Sequence, residues 1–313
     1  MRAVQVNGPA DRPTLVEAHV PRPAPGENDV LIQVQAAGVT SAELQWYPTW
    51  HNKDGSTRSG AIPGHEFSGV VAEVGGSVTG VSVGDEVYGM NDWFIDGATA
   101  DFCVAAASSV AKKPSKLTDA EAAAVPISAL TAWQGLVDRA KLKRGERVLV
   151  HGGAGAVGVF VIQLARELGA EIISTASARN LEFVTQLGAR RAIDYNKDAF
   201  EETVRDVDVV FDCVGGETLA RSWGVLKPGG RMVTIASDAE GTLDQRVKDA
   251  FFILEPNQRQ LVEIAERLDK GRLRSFVDTE VPLSEAPAAY SGKLVRKHGY
   301  GKTVVVISAN GTH

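Results

Sequence analysis

Cysteine is scarce in this chain of 313 residues, which contains only Cys103 and Cys213. Two cysteines are too few for a disulfide framework, so we expect two free thiols in a reducing cytosol. Long apolar runs are missing too, because no stretch approaches the roughly 18 residues of a membrane-spanning helix. The segment Met1–Pro13 lacks the apolar core of a signal peptide. The sequence therefore predicts a cytoplasmic protein without a membrane partner.

An excess of basic residues is also absent. The chain has 33 Lys and Arg against 39 Asp and Glu, with a formal net charge of −6 and a pI near 5.6. This balance argues against nucleic acid as the main partner. The hydrophobic share of 44% and the charged share of 23% are ordinary for a globular protein. The length is sufficient for two domains with separate cores.

The most informative segment that is present is Arg147–Ala170, where a strand, a glycine turn and an amphipathic helix follow one another. Val148–Val150 supply the apolar strand, and the helical spacing ends at Gly169. Glycines three apart in such a turn permit the sharp bend, the approach of a pyrophosphate to backbone N–H groups, and close packing of helix on strand. We therefore predict a dinucleotide phosphate loop formed by Gly152, Gly155, Ala156, Val157 and Gly158.

An acidic residue is lacking where NAD-specific folds place one, about 20 residues beyond the first glycine. The second predicted strand, Glu171–Thr175, is followed by Ser177 and Arg179. A hydroxyl and a guanidinium suit a 2′-phosphate, and no carboxylate is present to repel it. The sequence thus favours NADPH as the cofactor. A solvated arginine at a helix start is the alternative interpretation of Arg179.

The pattern of the chain changes at about Asp119. Before it, short alternating runs between Gly and Pro turns indicate a β-rich module, and after it strands and helices alternate, which indicates a parallel sheet. The chain then returns to a β-like pattern and ends in the predicted strand Lys302–Ile307. We predict an α/β protein with a β-rich catalytic domain over residues 1–120, completed by 271–313, and a doubly wound cofactor domain over 121–270.

Five segments, in this order, resemble the medium-chain dehydrogenase/reductase superfamily: GHEFSGVVAEVG at Gly64–Gly75, GDEVYGM at Gly84–Met90, the loop at His151–Gly158, DCVGG at Asp212–Gly216 and LKPGGRMVTIAS at Leu226–Ser237. Within it, the chain is most similar to the zinc-free quinone oxidoreductases and enone reductases, the zeta-crystallin-like group. The resemblance implies a GroES-like β domain, a Rossmann domain, and the cofactor in the cleft between them. It also implies a homodimer, in which edge strands such as Ala250–Leu254 pair across a two-fold axis.

Zinc-dependent alcohol oxidation is the main alternative inside that superfamily, and its ligands are incomplete here. Catalytic zinc needs about three protein ligands plus an open position. His65 and Glu66 stand at the family's ligand pair, but Thr40 replaces the preceding cysteine, and no cysteine lies near Ile127–Thr131. The segment Asn91–Thr99 also lacks the cysteines of a structural zinc. We therefore expect no metal.

A Tyr with a Lys four positions later, which short-chain dehydrogenases need, is missing as well. Without zinc or this pair, the alkoxide formed by hydride addition to an isolated carbonyl has no strong stabiliser. In a quinone or an α,β-unsaturated carbonyl the charge is delocalised, and water or a weak acid completes the protonation. We therefore expect NADPH-dependent reduction of a quinone or enone. An NADPH-binding sensor or scaffold with vestigial catalysis is the alternative class, since no acid or base is obvious.

Further residues are candidates for contact with the cofactor and the substrate. The additional cofactor contacts that the resemblance implies are Thr131, Tyr195, Phe251, Phe252 and Ile253. Four more follow the fourth and fifth predicted strands, at the carboxyl ends where such a fold binds its ligand: Val214, Gly215, Ala236 and Ser237. For the substrate, Trp46 and Trp50 flank an aromatic loop that suits stacking of a flat quinone. Tyr47 and the nearby Thr40 are the candidate catalytic side chains, with Tyr47 as proton donor.

Overall fold

The computed structural model describes residues 1–307, and most of its N-terminal strands belong to one large sheet. Strands β1 (Arg2–Asn7) and β2 (Thr14–His19) form a separate antiparallel pair. The large sheet contains β3 (Asp29–Gly38), β4 (Glu66–Val74), β5 (Glu86–Met90), β6 (Phe102–Ala106), β7 (Val110–Lys112), β13 (Val277–Pro282) and β14 (Lys302–Val306). Its order is β13-β14-β3-β4-β5-β7, with β6 also paired to β3. The last strands of the chain therefore complete the N-terminal sheet; residues 308–313 of the predicted completing segment lie outside the described residues.

The middle of the chain forms a five-stranded parallel sheet. Its strands are β8 (Arg147–His151), β9 (Glu171–Ala176), β10 (Arg191–Asp194), β11 (Val207–Asp212) and β12 (Leu226–Thr234), in the order β10-β9-β8-β11-β12. The order reverses at β8, which pairs with β9 on one side and β11 on the other. In open parallel sheets the crevice at the carboxyl ends of the strands beside such a reversal is where ligands bind. The fold is thus a GroES-like β domain joined to a Rossmann-type α/β domain.

Ten α-helices accompany these strands in residues 1–307. They are α1 (Tyr47–Trp50), α2 (Asp119–Ala123), α3 (Pro126–Trp133), α4 (Gly158–Glu167), α5 (Leu181–Leu187), α6 (Phe200–Thr203), α7 (Gly216–Ser222), α8 (Gln245–Ala250), α9 (Gln258–Asp269) and α10 (Ala286–Tyr290). No helix in this part of the chain has both the length and the apolar character that crossing a membrane requires.

One hydrophobic core joins the two domains. Tyr88 and Met90 of β5 are fully buried in the same cluster as Val148, Phe160 and Leu261 of the α/β domain. The Tyr88 hydroxyl also donates to the backbone oxygen of Leu261 at 2.7 Å. Because this contact surface is apolar and continuous, it fixes where the β domain stands relative to the carboxyl ends of the parallel strands.

The expected edge strand over Ala250–Leu254 is not formed as predicted. Ala250 ends α8, and the segment is reduced to one bridge between Phe251 and Thr234 of β12. Just beyond it, the Gln134 side chain accepts from the Glu255 N–H at 2.9 Å and donates to the Glu255 oxygen at 2.7 Å. The backbone groups that would extend a ladder are therefore used by a side chain, and the proline at position 256 has no N–H to contribute.

Candidate functional site

In the glycine loop after β8, two positions require glycine, each for a different steric reason. Gly152 has a φ of +73°, a conformation that side chains with a Cβ disfavour. A Cβ on Gly158, at the start of α4, would lie 2.3 Å from the Gly152 oxygen. Around Gly155 there is more room, because the nearest such contact is 3.2 Å. The loop therefore bends at Gly152, brings the start of α4 against the turn at Gly158, and stays open at Gly155.

A cavity of about 370 Å³ lies over this loop. Eight residues that the sequence assigned to the cofactor line it together: Gly152, Gly155, Ala156, Val157, Gly158, Ser177, Arg179 and Tyr195. They come from the turn after β8, the turn after β9 and the end of β10. One space is thus bordered by the phosphate loop, by Ser177 and Arg179 on the side predicted to hold the adenosine phosphate, and by the exposed ring of Tyr195.

Four other predicted cofactor residues follow the next two strands, β11 and β12: Val214, Gly215, Ala236 and Ser237. Their neighbours Cys213 and Ile235 line the cavity itself. The buried Asp212 carboxylate fixes the first turn, because its Oδ1 accepts from the N–H groups of Val214 at 3.1 Å and Gly215 at 3.2 Å. Burial raises the pKa of Asp212, and these hydrogen bonds together with that from Thr234 act in the opposite direction.

Arg296 is a cavity residue that the sequence reasoning missed. It comes from the C-terminal segment of the β domain, where its Nε lies 3.2 Å from Asp278 Oδ2 and its Nη2 donates to the Gly301 oxygen at 2.9 Å. The same segment packs on Arg179, since a Cβ on Gly299 would lie 2.4 Å from that guanidinium. No local pattern marked Arg296, because its place in the cavity depends on how the two domains meet.

The residue before the first glycine, His151, ends β8 and is fully buried. Its Nε2 donates to the Ser222 hydroxyl at 2.9 Å, because that hydroxyl itself donates to the Thr218 oxygen. Its Nδ1 then accepts from the Thr175 hydroxyl at 3.1 Å. Burial lowers the pKa of His151 to about 3, with the Arg221 charge acting in the same direction. A neutral histidine therefore anchors the start of the phosphate loop.

The metal position of zinc-dependent relatives does not fit zinc in this chain. His65 Nδ1 lies 2.6 Å from Glu43 Oε2, and Nε2 lies 3.2 Å from the Ile95 oxygen. A carbonyl oxygen only accepts, so Nε2 carries a hydrogen in this arrangement and presents no lone pair to a cation. Glu66 is paired with Lys302. Within residues 1–307, no group of three or more His, Cys, Asp or Glu side chains is arranged to hold a metal ion.

The predicted substrate residues lie outside the cofactor cavity. Trp46 packs edge-on against Trp93 at 5.2 Å between ring centroids, and Trp93 is tilted over His65 at 5.5 Å. Tyr47 is 52% exposed and stacks on His51 at 4.1 Å. Trp93, which the sequence did not single out, therefore connects the aromatic loop to His65.

Six more predicted residues differ in their burial and in the groups that they contact. Trp50 packs the loop, since its Nε1 donates to the Leu44 oxygen at 2.8 Å. Thr40 is half-buried at the end of β3, and Thr131 is buried on α3 with its hydroxyl donating to the Ile127 oxygen at 2.6 Å. Of the apolar run, Phe252 is buried in the core, Phe251 is half-buried and Ile253 is 55% exposed.

Comparison with known proteins places this architecture in a family. Residues 26–115 match the alcohol dehydrogenase GroES-like domain, and residues 187–305 match the zinc-binding dehydrogenase domain. A probable zinc-binding oxidoreductase, mitochondrial, of Arthroderma benhamiae is 34% identical over 98% of this chain and 96% of its own length. The chain belongs to the medium-chain dehydrogenase/reductase family.

Other members of this family are similar over most of the chain. An NADPH-dependent alkenal/one oxidoreductase, chloroplastic, of Arabidopsis thaliana is 32% identical over 93% of this chain and 75% of its own length. The solved quinone oxidoreductase from Coxiella burnetii has a TM-score of 0.86 at 30% identity, covering 98% of this chain and 99% of that one. This medium-chain dehydrogenase/reductase protein is therefore an oxidoreductase whose relatives include enone and quinone reductases.

Proposed function

We propose that this protein reduces a quinone or an enone with NADPH and without zinc. Two observations carry the proposal together: a cavity over the phosphate loop, and a His65 whose two ring nitrogens are already engaged with protein groups. The first feature supports hydride chemistry on a nicotinamide. The second supports an acceptor that does not need a Lewis acid.

NADPH, when bound, supplies the hydride. The chain's contribution begins at the phosphate loop, where backbone N–H groups and the start of α4 favour the pyrophosphate charge. Arg179 and Arg296 give the other end of the cavity two guanidinium groups, and Ser177 adds a hydroxyl. The turn after β9 has no carboxylate to repel a 2′-phosphate. This charge pattern is the support for NADPH rather than NADH.

The remaining predicted cofactor residues are assigned to the ribose and nicotinamide end of the same molecule. Those after β11 and β12 stand at the carboxyl ends of strands, where a doubly wound fold binds its ligand. We extend the assignment to Thr131, Phe251, Phe252 and Ile253 on the strength of the family resemblance.

A conjugated acceptor is the substrate class that suits the rest of the site. The charge that forms on a quinone or enone oxygen during reduction is delocalised, so a hydrogen-bond donor or water is sufficient to complete the reaction. Trp46 and Trp93 offer flat apolar faces close to His65. We assign Trp46 and Trp50 to the substrate wall, and Tyr47 and Thr40 to the proton supply.

The assembly and location that we propose are a homodimer in the cytosol. Support for the homodimer comes from β12, whose edge is covered within the chain by the single Phe251 bridge, and from Ile253, which is exposed beside it. Support for a reducing compartment comes from Cys103 and Cys213, which are both free thiols.

The proposed function is tested by turnover with a panel of acceptors. Purified protein is mixed with NADPH and, separately, with a quinone, an enone and an isolated ketone of similar size, before and after treatment with a chelator. We expect oxidation of NADPH with the conjugated acceptors only, unchanged by the chelator. Tight NADPH binding without turnover would favour a sensor or scaffold, whereas chelator-sensitive oxidation of an alcohol would favour a zinc enzyme.

A further inference from the structure

Glu66, the first residue of β4, carries a fully buried carboxylate that connects both domains. Its Oε1 is paired with the ammonium group of Lys302 on β14, and its Oε2 accepts from the Ile127 N–H at 2.9 Å. A Cβ on Gly38 of β3 would lie 2.5 Å from Oε1, so the neighbouring strand leaves only enough room for the carboxylate. Burial raises the pKa of Glu66, while Lys302 and the Ile127 N–H act in the opposite direction.

The Glu66 contact caps helix α3 from outside the helix. The residue before the helix, Val125, has an apolar side chain and makes no side-chain cap, and Pro126 has no N–H to satisfy. Within the helix the Ile127 N–H has no hydrogen-bond acceptor, because it belongs to the first turn. A negative charge is favourable at this end of a helix. Glu66 therefore does for α3 what an N-cap side chain does within a helix.

Helix α3 carries the threonine that we assign to the nicotinamide end of the cofactor. The Thr131 hydroxyl donates to the oxygen of Ile127, the residue whose N–H Glu66 holds. One turn earlier, the Ser128 hydroxyl accepts from Lys302 Nζ at 3.4 Å. Both members of the buried ion pair thus contact the first turn of α3 directly.

The residue before Lys302 holds the other end of the cofactor site. The Gly301 N–H donates to the Ala154 oxygen in the phosphate loop at 3.0 Å, and Gly301 forms a bridge with Gly155. Two consecutive residues of the β domain therefore contact the phosphate loop and the helix on the nicotinamide side.

We propose that the Glu66–Lys302 pair positions helix α3, and thereby Thr131, against the nicotinamide ring. This role rests on the proposed function, because it assumes that α3 borders a bound nicotinamide. Glu66 is a positioning residue here, since its carboxylate contacts the helix rather than the cofactor. Its loss affects the reacting end of NADPH and leaves the adenosine phosphate end, in the cavity lined by Arg179 and Arg296, unchanged.

The first test is Glu66→Gln, which keeps the side-chain volume but removes the charge. We expect kcat to fall about 10- to 100-fold, the loss that misplacing a reacting group by about 1 Å causes. We also expect a larger isotope effect with NADPH deuterated at the transferred position, and altered fluorescence of bound NADPH. Affinity for 2′,5′-ADP, which occupies only the adenosine phosphate end, should stay within about twofold, well below the tenfold change that 1.4 kcal/mol produces.

Three further variants separate positioning from general damage. Glu66→Asp keeps the charge and should recover part of the lost rate. Glu66→Gln combined with Lys302→Met removes both buried charges, so it should fold even if the single variant does not, yet it should keep the low kcat because the negative charge at the first turn of α3 is still missing. Glu86→Gln, at an exposed carboxylate on the next strand, is the matched control for charge removal.

The outcomes distinguish this inference from the proposed function. If the native protein turns over no acceptor, the proposed function fails. The positioning role is then still tested by comparing the native protein with the Glu66 variants in two readouts, the fluorescence of bound NADPH and the affinity for 2′,5′-ADP. If the native protein is active and the double variant retains its kcat, isotope effect and fluorescence, the positioning role is wrong. An equal loss of 2′,5′-ADP and NADPH affinity would also overturn it, because the role would then be structural.

Discussion

Acid should destabilise the protein through one buried histidine at the start of the phosphate loop. His151 is fully buried, bonded at both ring nitrogens and in edge contact with Phe200 at 4.5 Å. Protonation would place a hydrogen on Nδ1, which now accepts from Thr175, and a charge in an apolar environment. The folded pKa is about 3 against an ordinary value of 6.5. The unfolded chain therefore binds the proton more tightly, so stability is present above pH 6.5 and is lost as the pH falls from there towards pH 3.

The loss of stability follows from the pH range between the two pKa values of His151. Each pH unit within it changes the free energy of unfolding by about 1.4 kcal/mol, so the native protein should lose about 2 kcal/mol between pH 7 and pH 5 through this residue. Urea unfolding at a series of pH values measures it, with His151→Gln as the perturbation and His19→Gln, at an exposed position on β2, as the control. The His151 variant should be less stable at pH 7 but show a flatter pH dependence. Parallel pH profiles for all three proteins would refute the reasoning.

Further predictions concern the cofactor cavity and the assembly. Arg179→Ala should weaken NADPH binding by about 1–3 kcal/mol and leave NADH binding nearly unchanged, as measured by calorimetry; equal losses would show that the arginine is structural. Gly158→Ala should weaken binding of both cofactors and lower stability by about 1–3 kcal/mol, because the added Cβ meets the Gly152 oxygen at 2.3 Å. Unchanged affinity and melting temperature in that variant would contradict this packing. Light scattering at micromolar concentration should give twice the 33.2 kDa mass of one chain, and a mass of one chain would exclude the dimer.

Local sequence patterns were sufficient to predict the strands and turns that neighbouring residues determine. The apolar strand and the glycine spacing predicted the turn at Gly152–Gly158, and the structure shows why Gly152 and Gly158 must be glycine. The second strand was expected at Glu171–Thr175 and is observed at Glu171–Ala176. These elements were predictable because strand, turn and helix preferences act over neighbouring residues.

The features that the sequence did not reveal all depend on contacts between distant segments. Arg296 enters the cavity only because the last strands of the chain return to the first sheet. The buried hydrogen bonds of His151 had no local signal, since its partners Thr175 and Ser222 are far away in the sequence. The segment Ala250–Leu254 was expected to be an edge strand, yet the backbone groups of the next residue, Glu255, are bonded to the distant side chain of Gln134. Composition and spacing contain no information on such partners.

Under the proposed function, the lack of a metal at His65 limits which acceptors the site can discriminate. A zinc enzyme supplies the electrophile itself, so it activates an isolated carbonyl and selects substrates through the metal. Here His65 is hydrogen-bonded to Glu43 and Glu66 is paired with Lys302, so these side chains are already engaged within the protein. Under the proposed function, the electrophilicity must therefore reside in the substrate, whose conjugation spreads the incoming negative charge. Selection among quinones and enones then falls to the shape and apolar character of the aromatic wall that includes Trp46 and Trp93. Binding contacts of this kind act on ground state and transition state alike, so they should distinguish acceptors mainly through KM and only weakly through kcat.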